Sequence, residues 1–104
     1  MPTFIIIAKD KPDSLPLRKA TRPSHLQYLK TAKTPLRLGG PVLSILETDA
    51  PPGETPFGSV LIIEADSIDE AREFSANDPY TKAGLFESVE ITRYEMVAGD
   101  LIKK

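Results

Sequence analysis

The sequence predicts an α+β fold of the ferredoxin-like, split βαβ type: an antiparallel four-stranded sheet with crossover helices packed on one face. Three observations carry this. Four short apolar runs are spread over the 104 residues. Helix-forming segments with start signals separate the first run from the second and the third from the fourth. The two middle runs are joined by a proline-rich loop, so the order is β, α, β, β, α, β. A chain of this length buries about two-thirds of the surface its unfolded form exposes, so residues 1–104 are expected to form one domain around one core.

Phe4 to Ala8 is an unbroken, β-branched apolar run closed by the charged turn Lys9-Asp10-Lys11-Pro12-Asp13, and it reads as a strand buried on both faces. From Asp13 to Lys33 the spacing is helical, with Asp13 or Ser14 placed to accept first-turn amides and Leu15, Leu26 and Leu29 supplying apolar positions. Pro23 lacks an amide and crowds the carbonyl four residues earlier, which predicts a kink or a second helix beginning there. Leu36 to Leu46 reads as an irregular strand around the Gly39-Gly40-Pro41 bend. Glu47 to Phe57, with Pro51, Pro52, Gly53, Pro56 and three acidic side chains, reads as the one loop expected to move.

Gly58 to Ala65 is a second continuously apolar strand. Ser67-Ile68-Asp69-Glu70 is a reciprocal capping pattern that starts a helix with Ala71 and Phe74 inward. Asp78, Pro79 and Gly84 then sit where the N-cap, first helical residue and left-handed terminator of a short helix belong. Phe86 to Val97 reads as the last strand, with Val89 and Ile91 on one side and Phe86, Tyr94 and Met96 on the other. Because the first and third strands are apolar at successive positions, the sheet face opposite the helices needs a cover. A homodimer packed sheet on sheet, a dimeric α+β barrel, is the expectation.

Composition narrows the function. There is no cysteine, which removes disulfides, Cys-ligated zinc, iron–sulfur clusters and thiol nucleophiles. A net charge of -2 offers no broad cationic field for nucleic acid or an anionic membrane. The Met1–Asp10 segment lacks the basic region and apolar length of a signal peptide, so a cytoplasmic protein is expected. One histidine among scattered carboxylates has no metal-site spacing, and Gly39-Gly40 is not followed by the Lys-Ser/Thr of a phosphate loop. No metal and no cofactor are expected.

His25 is the single histidine, on one helical face with Arg18, Arg22 and Leu29. It reads either as a general acid–base, since imidazole is the side chain suited to proton transfer near neutrality, or as a surface histidine beside a basic stripe. Asp78 is an ordinary cap ahead of an N1 proline and also a carboxylate that could orient one imidazole nitrogen. Arg18 and Arg22 could fork onto an anionic substrate or pair with surface carboxylates.

Taken together, these residues resemble the YCII-related (YciI-like) family. The resemblance is carried by Asp10-Lys11-Pro12, Leu17-Arg18, Arg22-Pro23-Ser24-His25-Leu26, Tyr28-Leu29, Gly39-Gly40-Pro41, Gly58-Ser59, Glu64-Ala65 and Asp78-Pro79-Tyr80 followed by Ala83-Gly84-Leu85-Phe86. It implies a dimeric ferredoxin-like fold related to muconolactone isomerase, and a His–Asp active site at His25 and Asp78 with Ser59, Arg22 and Tyr80 nearby. Some relatives eliminate chloride from chlorinated aromatic rings. The expected function is a cofactor-independent lyase or isomerase, of muconolactone isomerase or dehydrochlorinase type, acting on a small organic ring or carbonyl compound. His25 and Asp78 would be catalytic, with Arg18, Arg22, Ser59 and Tyr80 on the substrate. The alternatives are a non-catalytic dimer that binds a small metabolite and a bare assembly domain.

Overall fold

A computed structural model describes residues 1–45 and 54–100. The elements run β1 (Thr3–Asp10), α1 (Leu15–Thr31), β2 (Leu36–Leu43), β3 (Pro56–Glu64), α2 (Ile68–Ala76), α3 (Pro79–Lys82) and β4 (Phe86–Arg93). The strands form one antiparallel sheet in the order β2-β3-β1-β4. This is the ferredoxin-like α+β arrangement the sequence predicts. Alternation along β1 sends Phe4, Ile6, Ala8 and Asp10 to the helix side, where all four are buried. Their partners on β3, Ile63, Leu61 and Ser59, are buried with them.

The core lies between that face and the helices. Phe4, Ile6, Leu61, Ile63, Ala65, Ala71 and Phe74 form it, with Tyr28, Leu29, Leu36 and Ile91 packed at its margin. Ala71 and Phe74 point inward because Ser67 accepts the Glu70 amide at 3.1 Å and fixes where α2 begins. Tyr28 ties α1 to α2 by donating its hydroxyl to the Phe74 carbonyl at 2.8 Å. The opposite face carries Ile5, Ile7, Leu38, Val42 and Val60, with Ile7 43% and Leu38 48% exposed.

Four local expectations are revised. No second helix begins at Pro23: α1 is assigned continuously through it, and Pro23 and Lys19, the residue four positions earlier, are both exposed. Asp13 takes a φ of 56° and Ser14 holds the N-cap position without a side-chain cap; its hydroxyl donates back to the Lys11 carbonyl at 2.5 Å instead. Phe86 shares the helix face with Val89 and Ile91, because the register of β4 shifts between Lys9 and Asp10, leaving Glu87 unpaired. β4 ends at Arg93 rather than Val97.

The segment read as a loop from Glu47 to Phe57 contains the start of β3: Pro56 takes the first strand position, where a missing amide interrupts no ladder. Residues 47–53 lie outside the described residues, so the mobility expected there is not addressed by the structure. Gly84 has a φ of 77° and terminates the turn after α3, as its position in the sequence anticipates.

Candidate active site

Between α1 and the β2–β3 half of the sheet lies a cavity of about 350 Å³, a size suited to a small organic molecule. Leu15, Arg18, Lys19, Arg22, His25, Leu26 and Leu29 come from α1, whose residues 18, 22, 25 and 29 share one face at helical spacing. Its floor is Gly39, Pro41, Ser59 and Leu61, and Tyr80 closes it from α3. The hollow exists partly because β2 places Gly39 and Pro41 opposite Leu61 and Ser59: a Cβ on Gly39 would lie 2.6 Å from the Leu61 side chain.

His25 and Asp78 meet here although 53 positions separate them; Nδ1 of His25 lies 2.8 Å from Oδ1 of Asp78. They are 6% and 3% exposed. Two local features aim the carboxylate. The residue before a proline avoids helical geometry, and Asp78 is extended, with φ -63° and ψ 130°. From that position Oδ1 also accepts the Tyr80 amide at 2.9 Å. A carboxylate offers only lone pairs, so the Nδ1 proton belongs on the imidazole and the neutral ring keeps its free lone pair on Nε2.

Tyr80 fixes the plane of that imidazole. The two rings are stacked, with centroids 4.0 Å apart and planes 18° from parallel. Phe86, brought to this face by the bulge in β4, meets the Tyr80 ring edge-on at 5.9 Å, and the Arg18 guanidinium lies 4.8 Å from the same ring centroid. Burial pushes the Tyr80 phenol above the ordinary tyrosine range, Asp78 and Asp10 adding to the rise and Arg18 and Arg22 opposing it. Tyr80 is therefore a neutral hydrogen-bonding group throughout the physiological range.

A second buried polar cluster stands beside the first. Arg18 donates from Nε to Asp10 Oδ2 at 2.7 Å and from Nη2 to Asp10 Oδ1 at 3.0 Å, and Nη2 also donates to Ser59 Oγ at 2.8 Å. All three residues are buried. The forked pairing is the geometry that lets a guanidinium and a carboxylate remain together away from water. Arg22, by contrast, lines the cavity from the exposed side of α1 and has no ion pair among the described residues.

The six residues singled out in the sequence, His25, Asp78, Arg18, Arg22, Ser59 and Tyr80, thus surround one hollow, all but Asp78 lining it directly. The sequence reading missed Asp10, assigned to a charged turn, and Lys19, Leu15 and Pro41 as cavity walls. The signal for Asp10 was available: it continues the every-second-residue series Phe4, Ile6, Ala8 onto the buried face. Among the described residues no group of three or more His, Asp or Glu side chains is arranged to hold a metal ion, and no helix is long and apolar enough to cross a membrane.

Comparison with known proteins settles the family. The YCII-related domain matches residues 3–95. The chain belongs to the YCII-related family. Protein YciI of Escherichia coli O6:H1 is 36% identical over 97 residues, covering 90% of this chain and 97% of that protein. The structure of 5-chloro-2-hydroxyhydroquinone dehydrochlorinase (TftG) from Burkholderia phenoliruptrix AC1100 in complex with 2,5-dihydroxybenzoquinone superposes with a TM-score of 0.77 at 41% identity. That match covers 89% of this chain and 93% of the dehydrochlorinase. The derivative of benzaldehyde biosynthesis cluster protein C of Emericella nidulans is 41% identical over 75 residues, 69% of this chain and 76% of that protein.

Proposed function

We propose that this YCII-related chain is a cofactor-independent lyase or isomerase that moves a proton on a small hydroxylated ring or carbonyl compound, with His25 as the acid–base and Asp78 as its orienting carboxylate. The observation that carries the reading is the 2.8 Å contact between His25 Nδ1 and Asp78 Oδ1 at the wall of a small-molecule cavity. It leaves Nε2 as the basic nitrogen. When a ligand hydroxyl or an acidic C–H gives its proton to Nε2, Asp78 stabilises the imidazolium that results. The electron pair released into the ring can then expel a substituent, an elimination, or pick up a proton at another atom, an isomerisation. The dehydrochlorinase relative with its bound quinone supports ring compounds as the substrate class. The apolar side chains of Leu15, Leu26, Leu29 and Leu61 suit a flat ring.

The same reading has the chain working in the cytoplasm as a homodimer, its second copy covering the Ile5, Ile7, Leu38, Val42 and Val60 face. Sedimentation at micromolar concentration gives the mass of two chains if so and of one chain if not. The functional test is turnover of a panel of lactones, halogenated hydroquinones and small keto acids by wild type and His25→Asn. The substitution is expected to lower turnover about 10²- to 10⁴-fold with the far-UV spectrum retained. Wild-type turnover in His25→Asn, or tight capture of a panel compound with no product from the wild type, contradicts the proposal.

A further inference from the structure

The cavity has a charged mouth as well as a buried wall. At 100° per residue the lining positions of α1 fan across an arc: Arg18, His25 and Leu29 lie within about 40° of one another, Arg22, Leu15 and Leu26 follow, and Lys19 comes last. Burial runs the same way. Arg18 and His25 are buried, Leu29 and Leu15 are half-buried, and Arg22, Leu26 and Lys19 are exposed. The guanidinium of the interior is already neutralised by Asp10. At the rim, neither Lys19 nor Arg22 has a hydrogen-bond or ion-pair partner among the described residues. The same holds for Glu54, which lines the cavity just ahead of β3. Two cations against one carboxylate leave the rim positive, in front of walls made by Leu15, Leu26, Leu29 and Leu61.

We infer that Lys19 and Arg22 form a carboxylate-binding rim, so that the ring compound this cavity takes carries a carboxylate substituent, held at the mouth while the ring lies against His25 and Tyr80. The inference rests on the proposed ring chemistry and narrows its substrate class. Lys19 and Arg22 stand three residues apart on one helix, close enough to meet the same group. The charge of Arg22 acts inside the hollow, since it lowers the pKa of the Tyr80 phenol against the rise that burial imposes. A guanidinium receives both oxygens of a carboxylate at once. A carboxylate at an exposed rim also keeps part of its hydration and so escapes most of the desolvation cost that a buried charge meets. Glu54 restricts the rim to a single carboxylate, because a second would face like charge.

The test uses the full chain and two probes of one ring, the dihydroxybenzoate protocatechuate and its methyl ester, titrated by calorimetry at neutral pH, where only the free carboxyl group is ionised. Wild type is expected to bind the acid about tenfold more tightly than the ester, and added salt to weaken the acid alone. Arg22→Gln is expected to weaken the acid about tenfold, as losing a hydrogen bond to a charged group does. Lys19→Gln is expected to weaken it about threefold, the size of an exposed ion pair, with the ester's affinity within twofold of wild type. Both side chains are exposed, so the variants are expected to fold. A wild type that binds acid and ester equally, or binds neither, overturns the inference. So does a Lys19→Gln, Arg22→Gln double variant that keeps the wild-type preference for the acid. His25→Asn separates the two claims. If it keeps that preference and its turnover of the substrate panel is unchanged, the acid–base role fails and the rim stands; if its turnover collapses while the double variant still prefers the acid, the rim fails and the acid–base role stands.

Discussion

Along the helix side of β1 the side chains pass from Phe4 and Ile6 through Ala8 to Asp10, and along the same side of β3 from Ile63 and Leu61 to Ser59. The two ends of one sheet face are equally buried and chemically opposite. At the first end Phe4, Ile63 and Phe74 meet without a polar side chain in the cluster. At the second, Asp10, Arg18, Ser59, His25 and Asp78 are buried together, each with a hydrogen-bonding partner. The same alternation of the strand produces both. What differs is that the dry end is held by area removed from water, and the polar end by partners whose loss leaves a charge or a donor stranded. The dry end serves as the anchor, and the polar end, next to a hollow, keeps chemistry ready at the expense of packing.

That contrast can be broken most forcefully at Asp10. Asp10→Ala leaves the Arg18 guanidinium buried without its carboxylate and is expected to cost about 3–5 kcal/mol of unfolding free energy in urea. An Asp10→Leu, Arg18→Met double variant, which removes both charges, is expected to recover most of it. A loss below about 1 kcal/mol in Asp10→Ala would mean that the pair is not buried as described. At the dry end Ile63→Ala is expected to cost about 2–5 kcal/mol by opening a void, yet to leave ligand affinity unchanged when measured well below its melting temperature. A parallel loss of binding would show that the two ends are not independent.

Smaller effects sharpen the picture. Ser67→Ala should cost about 1 kcal/mol, read by urea titration, since it removes one cap far from the hollow. The smallest effect is alkaline. Burial holds Tyr80 protonated in the folded chain above its unfolded value, so the folded state binds more protons and its stability falls as pH rises past about 10. Tyr80→Phe should flatten the dependence of melting temperature on pH in that window, and an unchanged slope would place the phenol in water.

The fold was legible because its signals are local. The apolar runs, the Ser67 cap, the Asp78-Pro79 start and the Gly84 stop each state their role within a few residues. Where the outcome depends on a neighbouring element, local reading fell short. Local spacing left open whether a second helix begins at Pro23, where α1 runs on without a break, and the face taken by Phe86 depends on a bulge against β1. The site divides the same way. His25, Arg18 and Arg22 share a helical face that spacing alone discloses, whereas the junction of His25 with Asp78 came from family resemblance, since nothing local joins positions 53 apart. Asp10 was hidden by its charge, which reads as a turn until its buried partner Arg18 is seen.

The His25–Asp78 contact is the centre of the account, and nuclear magnetic resonance of the imidazole tests it most directly. With 15N-labelled protein, the neutral ring should carry its proton on Nδ1, the Nδ1–H resonance should lie downfield, and Asp78→Asn should move that resonance. A neutral ring protonated on Nε2, or an Nδ1–H resonance that is the same in wild type and Asp78→Asn, would contradict it.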